Sequence, residues 1–305
     1  MAGIIGTMHQ TEPVDSFTHA LSTFLLFLFT GNGMYAPYAI IGAVLPDIDI
    51  FFKPLSDHDP RLFIFTHGGF THSVVGAVAV SCLAFLALIM LTVSGSMGNA
   101  PVIGLTTLLF IVLGACLHLV LDSLASPGIP LLYPATARKI TLGIFPGPSL
   151  LLMVITVSYL LLVASGIANL AENTFYIGVC LCVIGTRTIL KIYIALSTPG
   201  TTIPTIHPLR WWVIIEEPAA YTLSSFQVGR GITGTRMFEK FKGVTEDEIT
   251  LLKNQPEFRR HRFYSYLSTI ERNGSEVIAR DPFRDEGHVP YPLYYRSISI
   301  RDRQA

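Results

Sequence analysis

Thr66-His67-Gly68-Gly69-Phe70-Thr71-His72-Ser73 leads into an apolar run that extends to Val93, and this junction decides the fold. A run of Phe70–Val93 is long enough to cross about 30 Å of hydrocarbon as a helix. Its start is therefore an interface, and two histidines stand at it. Working outward, the same arrangement recurs. Asp15 and His19 open the run Ala20–Phe29, Asp47 and Asp49 close Ala36–Leu45, and His118 and Asp122 close Pro101–Leu121. In a chain that passes up and down through a membrane, a start, an end, a start and an end lie on one side. Eight potential metal ligands converge there. Each Asp or Lys near a bilayer centre costs roughly 2.5–3.5 kcal/mol on insertion scales, and bound metal is the natural compensation.

Composition divides the chain. Mean hydropathy is +0.52 and only 14% of residues are charged, against about 25% in ordinary soluble domains. Residues 1–200 hold six Lys/Arg and eight Asp/Glu; residues 201–305 hold fifteen and thirteen. This predicts a helical membrane domain over 1–200 and a soluble α+β domain over 201–305. The zero net charge says nothing about partners, and no long basic tract suggests nucleic acid. Cys82, Cys116, Cys180 and Cys182 all fall in apolar runs and read as small buried hydrophobes with no disulfide framework.

Two more apolar runs, Ser149–Ala168 and Phe175–Leu196, bring the expected number of membrane segments to six. Ala36–Leu45 is short, about 15 Å as a helix, and is expected to pair with Ala20–Phe29. The ligand-bearing side carries Lys53, Arg61, Arg138 and Lys139, with Arg187 and Lys191 as snorkelling charges at the end of the sixth run. The opposite loops carry no Lys or Arg, so the ligands and both termini are expected in the cytoplasm of a multi-pass cell-membrane protein. After a linker over Ser197–Pro208, Trp211 and Trp212 read as an interfacial anchor. Strands are expected at Trp211–Ile215, Tyr221–Val228, Phe263–Ile270, Glu276–Arg280 and Tyr291–Ile300, the hairpin turn being Asn273-Gly274. Thr245 with Glu248 is a capping box for a helix that stops before Pro256.

His118 and Asp122 are spaced i, i+4, so both lie on one helix face. Asp15 and His19 repeat the spacing in reverse. Imidazole mixed with carboxylate favours Zn, Mn, Fe or Ni over Mg or Ca. The expected metal set is Asp15, His19, Asp47, Asp49, His67, His72, His118 and Asp122, more than one four-coordinate ion needs, which favours a binuclear centre of Zn or Mn. Helix N-termini near Gly68 and Gly69 suit an anion, with Arg138 and Lys139 closing over it and Asp49 or His67 as general base or acid.

These blocks resemble the YdjM-like membrane-bound metal-dependent hydrolases. Their pattern of Asp-x-x-Thr-His, Pro-Asp-x-Asp, His-Arg-Gly-x-Thr-His-Ser, His-x-x-x-Asp and a later Gly and Leu-Leu-x-Pro is met by Asp15–His19, Pro46–Asp49, His67–Ser73, His118–Asp122 and Gly128–Pro134. Gly68 stands where the family pattern has Arg, so any anion contact from that position passes to Arg138 or Lys139 or is lost. The resemblance implies metal-dependent hydrolysis. A phosphoester or lipid-linked substrate at the cytoplasmic interface, attacked by metal-bound hydroxide, is the expected reaction; the alternative is a divalent-metal transporter or a metal-stabilised membrane protein without activity. Asp57-His58-Asp59, in a polar loop between prolines, reads as a surface cluster. His9, His207, His261, His288 and the Arg259-Arg260-His261-Arg262 patch read as solvated or headgroup-facing.

Overall fold

The computed structural model describes residues 13–95, 103–147, 149–170, 173–274, 276–289 and 295–301. Its first part is helical: α1 (Pro13–Phe29), α2 (Ala36–Val44), α3 (Lys53–His58), α4 (Val74–Val93), α5 (Leu105–Ser123), α6 (Leu150–Ala164) and α7 (Thr174–Ser197). Every apolar run becomes a helix, with three shifts. The second run does not stop at Leu45. Pro46, which lacks an N–H, opens a 3-10 helix over Leu45–Phe52 that leads into α3, so Gly33–His58 is one long helical stretch. The run Ser149–Ala168 yields only Leu150–Ala164, because the chain turns at Gly166 with φ of 73°. Phe70–His72 is a single 3-10 turn, and α4 begins at Val74, where Ser73 Oγ accepts the Gly76 N–H at 3.0 Å.

Among the described residues, four stretches are thus long and apolar enough to cross a membrane: Gly33–His58, Val74–Val93, Leu105–Ser123 and Thr174–Ser197. Six segments are not confirmed: these four meet the length of a membrane span, and α1 and α6 are apolar but shorter. Leu83, Met90 and Val93 on α4, with Leu161 and Leu181 on α6 and α7, are exposed. A helix apolar all round with an exposed outer face belongs in lipid. Of the cysteines, Cys182 is exposed and the other three are half-buried, Cys180 packing against two of the core clusters, so none is fully buried.

Contact between α2 and α5 is made by glycine. A Cβ on Gly42 would fall 1.8 Å from the Ile111 carbonyl oxygen, and one on Gly114 would fall 1.9 Å from that of Ala39. The two backbones touch, as small residues allow in helix pairs within membranes. This crossing carries the C-terminal turns of α5 alongside the end of α2. On the other flank, Thr156 Oγ1 of α6 and Tyr176 OH of α7 lie 2.9 Å apart, and Asn173 Nδ2 donates to the Leu25 carbonyl of α1 at 2.6 Å.

The remainder is a two-sheet domain. One sheet is an antiparallel meander of β1 (Thr201–Pro204), β2 (Arg210–Glu216), β3 (Ala220–Gln227) and β4 (Gly231–Glu239). The other is ordered β5 (Phe241–Lys242), β6 (Thr269–Asn273), β7 (Glu276–Arg280) and β8 (Ser297–Arg301), with β5 and β6 parallel. Within the second sheet's part of the chain, α8 (Glu246–Lys253), which carries the expected capping box on Thr245 and Glu248, and α9 (Pro256–Tyr264) connect β5 to β6, and the short α10 (Pro282–Asp285) lies between β7 and β8. Several expectations fail here. Phe263 and Tyr264 end a helix, not a strand, because Pro256 starts α9 instead of closing the region. The supposed linker contains β1, and β4 was not anticipated at all. Its residues face solvent on both sides and carry little apolar alternation. The first part of the expected strand Tyr291–Ile300 lies outside the described residues, and β8 forms its end.

Trp211 is no interfacial anchor. It is fully buried, packs with Ile194 of α7, Val213 and Phe226, and donates from Nε1 to the Pro208 carbonyl at 3.1 Å. Arg187 and Lys191 do not snorkel. Arg187 is buried and donates to the carbonyls of Ile144 (2.9 Å), Pro208 (3.2 Å) and Thr205 (3.3 Å), and Lys191 donates to that of Thr202 at 2.5 Å. Both side chains fasten the sheet domain to α7. A second attachment joins α9 to the turn before α4: Tyr264 OH donates to the Phe63 carbonyl at 3.1 Å and touches Thr66 Oγ1, and Arg260 donates to the Ser56 carbonyl. Arg260 is therefore not headgroup-facing, and His261 is buried, with Nδ1 donating to the Tyr295 carbonyl at 2.9 Å. His288 is half-buried against Trp212; His207 is exposed as expected; His9 lies outside the described residues.

Candidate metal centre

Four segments meet at one end of the helices. α1 supplies Ser16 and His19 from its first turns, the 3-10 helix after α2 supplies Asp47 and Asp49, the turn before α4 supplies His67, Thr71 and His72, and the end of α5 supplies His118 and Asp122. Local sequence makes each of these ends. Pro46 tightens the backbone that carries the two Asp residues. Gly68, at φ of 74°, reverses the chain between the two histidines. Gly69 lets that turn close, since a Cβ there would fall 1.9 Å from the Ile64 carbonyl oxygen.

His118 shows how the imidazoles are held. Its Nδ1 donates to the Ala43 carbonyl at 2.7 Å, a contact made possible by the close α2–α5 crossing. A carbonyl can only accept, so the Nδ1 proton is fixed and Nε2 turns inward. There it lies 3.3 Å from His72 Nε2, 3.3 Å from Asp122 Oδ2 and 3.5 Å from Asp47 Oδ1. His72 is held in the same way: Nδ1 donates to Asp49 Oδ2 at 3.0 Å, and Nε2 lies 3.2 Å from Asp122 Oδ2 and 3.5 Å from Asp47 Oδ1. Outer hydrogen bonds that fix the imidazole tautomer are the usual support of a metal-binding histidine.

The separations test whether a metal fits. Donor atoms of one tetrahedral ion, bound at about 2.0–2.1 Å, stand about 3.4 Å apart. Here the distances from His72 and His118 to Asp47 and Asp122, and to each other, all lie between 3.2 and 3.5 Å. Asp47 Oδ1 is buried without a hydrogen-bond donor, although three imidazole nitrogens face it, the third being His67 Nδ1 at 3.7 Å. Asp47 Oδ2 accepts from Ser16 Oγ at 2.5 Å. No Lys or Arg of the described residues pairs with Asp47, Asp49 or Asp122; their ion-pair partners are all histidines. Buried carboxylates without a fixed cation need one. The donor set, nitrogen with carboxylate oxygen, suits a divalent transition ion.

Three overlapping groups can hold an ion: His19, His118 and Asp122; Asp47, His72 and His118; and Asp49, His67 and His72. His19 Nε2 lies 3.1 Å from Asp122 Oδ1, and its ring centroid is 4.0 Å from that of His118. Asp122 thus faces His19 with one oxygen and His72 with the other. Asp49 is different. Oδ1 accepts from His67 Nδ1 at 3.0 Å, and Oδ2 accepts from His72 Nδ1 and Thr71 Oγ1, so this fully buried carboxylate has both oxygens engaged.

Seven of the eight expected ligands are brought together. The side chain of the eighth, Asp15, lies outside the described residues. Thr71 and Ser16 were not singled out, although both sit inside the blocks that carry the ligands. Arg138 is exposed and contacts no ligand residue, and Lys139 points to α9 instead. The anion clamp expected of this pair is not assembled at Gly68 and Gly69. Asp57 and His58 are exposed, Asp57 pairing with Lys53 at 2.5 Å, as a surface cluster should.

No curated relative and no solved structure matches the chain. The sequence profile of the YdjM inner membrane protein family matches residues 14–193, more than half the chain and every segment of the His/Asp cluster. Its apolar helices and this match make it a membrane protein, and the chain belongs to the YdjM inner membrane protein family.

Proposed function

We propose that the chain is a membrane-embedded, metal-dependent hydrolase acting on a phosphoester or lipid-linked substrate at the cytoplasmic interface. One observation carries this reading: imidazole and carboxylate atoms from three segments meet at 3.2–3.5 Å, and no Lys or Arg among the described residues pairs with these carboxylates. His72, His118, Asp47 and Asp122 hold the first ion. His19 with Asp122 would supply the place for a second, of Zn or Mn. When bound, such an ion polarises a phosphoryl oxygen and lowers the pKa of water toward 7.

The chain's own residues do the rest. Asp49 and Thr71 orient His67 and His72, and Ala43 orients His118. With Nδ1–H committed to Asp49, His67 has Nε2 left to exchange a proton with the reactant, the arrangement that makes a His–Asp pair a general base or acid. Asp122 is the most accessible member, at 16% side-chain exposure against 10% or less for Asp47, His67, His72 and His118, so substrate approaches on its side. An apolar substrate tail remains among helices whose outer faces are already lipid-like. Lys53 at the start of α3 and Arg61 and Arg138 in connections lie on this end of the helices, which supports a cytoplasmic site with both termini on that side.

Detergent-purified protein screened against short-chain and lipid phosphoesters tests the reading. Turnover that disappears with chelator and returns with Zn²⁺ or Mn²⁺ is expected. Full turnover in chelator, or ion flux through reconstituted protein without hydrolysis, overturns it, the second in favour of a transporter.

A further inference from the structure

Arg187 fixes where the sheet domain stands relative to the helix ends. Its guanidinium donates to the carbonyls of Ile144 (2.9 Å), Pro208 (3.2 Å) and Thr205 (3.3 Å). Ile144 is held at the end of α5, where its N–H donates to the Leu124 carbonyl at 2.8 Å, and α6 begins soon after, at Leu150. Thr205 and Pro208 therefore lie at the level where α5 ends and α6 starts, the lipid–water boundary on the side of the His/Asp cluster. One turn further along α7, Lys191 donates to the Thr202 carbonyl, so β1 runs back along α7 toward that boundary. The antiparallel meander then has two ends. Residues 205–210 and the β3–β4 turn lie at the boundary, joined by the Val228 N–H donating to the Leu209 carbonyl at 3.0 Å; the β2–β3 turn at 217–219 lies at the opposite end.

The two ends differ in chemistry. At the boundary end Ile206 is 79% exposed, Ile232 55% and Leu209 41%. Arg210 and Arg230 are exposed beside them, and neither has a carboxylate partner among the described residues. No Asp or Glu occurs over 197–215 or 218–238, whereas Glu216, Glu217 and Glu239 all stand at the opposite end. The apolar surface of this end continues that of the helices, since Leu150 at the start of α6 and Ile189 beside Arg187 are exposed as well. Exposed apolar side chains enter the boundary of headgroups and acyl chains, and each Lys or Arg held near an anionic membrane adds attraction. Arginine also matches phosphate in geometry.

We propose that residues 205–210 and 228–232 dip into the headgroup layer beside α7 and bind anionic lipid, with Arg210 and Arg230 on the headgroup phosphates and Ile206, Leu209 and Ile232 at the acyl boundary. The sheet domain is thereby held over the helix ends by lipid as well as by Arg187, Lys191 and α9. This contact does not depend on the hydrolase reading.

Hydrogen–deuterium exchange of the full-length chain in nanodiscs tests this, with phosphatidylcholine alone as one membrane and phosphatidylcholine mixed with phosphatidylglycerol as the other. Exchange at 205–210 and 228–232 should be slower in the mixed discs, by about fivefold for each arginine engaged. The 217–219 turn should exchange equally in both. R210Q combined with R230Q should abolish the difference, and R210K combined with R230K should keep most of it. I206S combined with I232S should quicken exchange of the two segments in both membranes. R236Q, at a guanidinium paired with Glu286, should change nothing. All these side chains are exposed, so the variants are expected to fold. Equal exchange of the wild type in the two membranes, or a difference that survives in the R210Q and R230Q double variant, overturns the proposal. Lipid-dependent protection of 217–219 instead would overturn it too, by turning the acidic end of the meander to the bilayer.

Discussion

Asp57-His58-Asp59 and the pair Asp47/Asp49 lie within and at the end of one helical stretch and have the same chemistry, yet the structure treats them in opposite ways. Asp57 and His58 are exposed, with Asp57 bonded to Lys53 and Tyr295, and Asp59 accepts the Arg61 N–H as a cap. Asp47 and Asp49 are buried among imidazoles contributed by distant parts of the chain. Local density of ligand-type residues is the same in both places. What differs is convergence. The exposed cluster satisfies its charges with water and a lysine; the buried one has neither.

This contrast can be broken in three places. The largest expected effect is chelation. An ion held at 1,000 times its dissociation constant contributes about 4 kcal/mol to stability, so adding chelator should lower Tm by many degrees. Replacing Asp57 and His58 together by Ala should leave that shift unaltered. A shift that depends on Asp57 and His58 would move the ion to the wrong cluster.

Next is the helix crossing. Gly114→Ala puts a methyl 1.9 Å from the Ala39 carbonyl oxygen, and overpacking of this kind costs about 1–3 kcal/mol. Separation of α2 from α5 also takes Ala43 away from His118, so metal content should fall along with stability. Stability lost at full metal content would show that the crossing does not position the ligand.

The smallest effect belongs to Tyr264→Phe, which removes one hydroxyl from Phe63 and Thr66 and is worth about 1 kcal/mol. Proteolytic release of the sheet domain should quicken, with metal content retained. Loss of metal in this variant would mean that the sheet domain builds the centre and does not merely rest against it.

The sequence made the buried cluster legible because topology alone places alternate helix ends together. His118 and Asp122 needed only their spacing and the end of an apolar run. The distinct place of Asp49 was not legible, since it depends on which imidazole nitrogen faces which oxygen across three segments. Arg187 and Lys191 were misread for a related reason. Their spacing and position on an apolar helix fit lipid headgroups, and only the carbonyls of Ile144, Thr202, Thr205 and Pro208 reveal a docking role. In the sheet domain, β4 escaped notice because neither face is buried and periodicity reports burial, not hydrogen bonding. Trp211 likewise pointed to an interface when its indole fills the joint with α7.

Metal analysis of the detergent-purified full-length chain tests the central claim most directly. The account predicts tightly held Zn or Mn, retained in His58→Ala and largely lost when His118 and Asp122 are both replaced by Ala. Metal-free wild type after purification without chelator and with added Zn²⁺, or unchanged stoichiometry in the double variant, would contradict it.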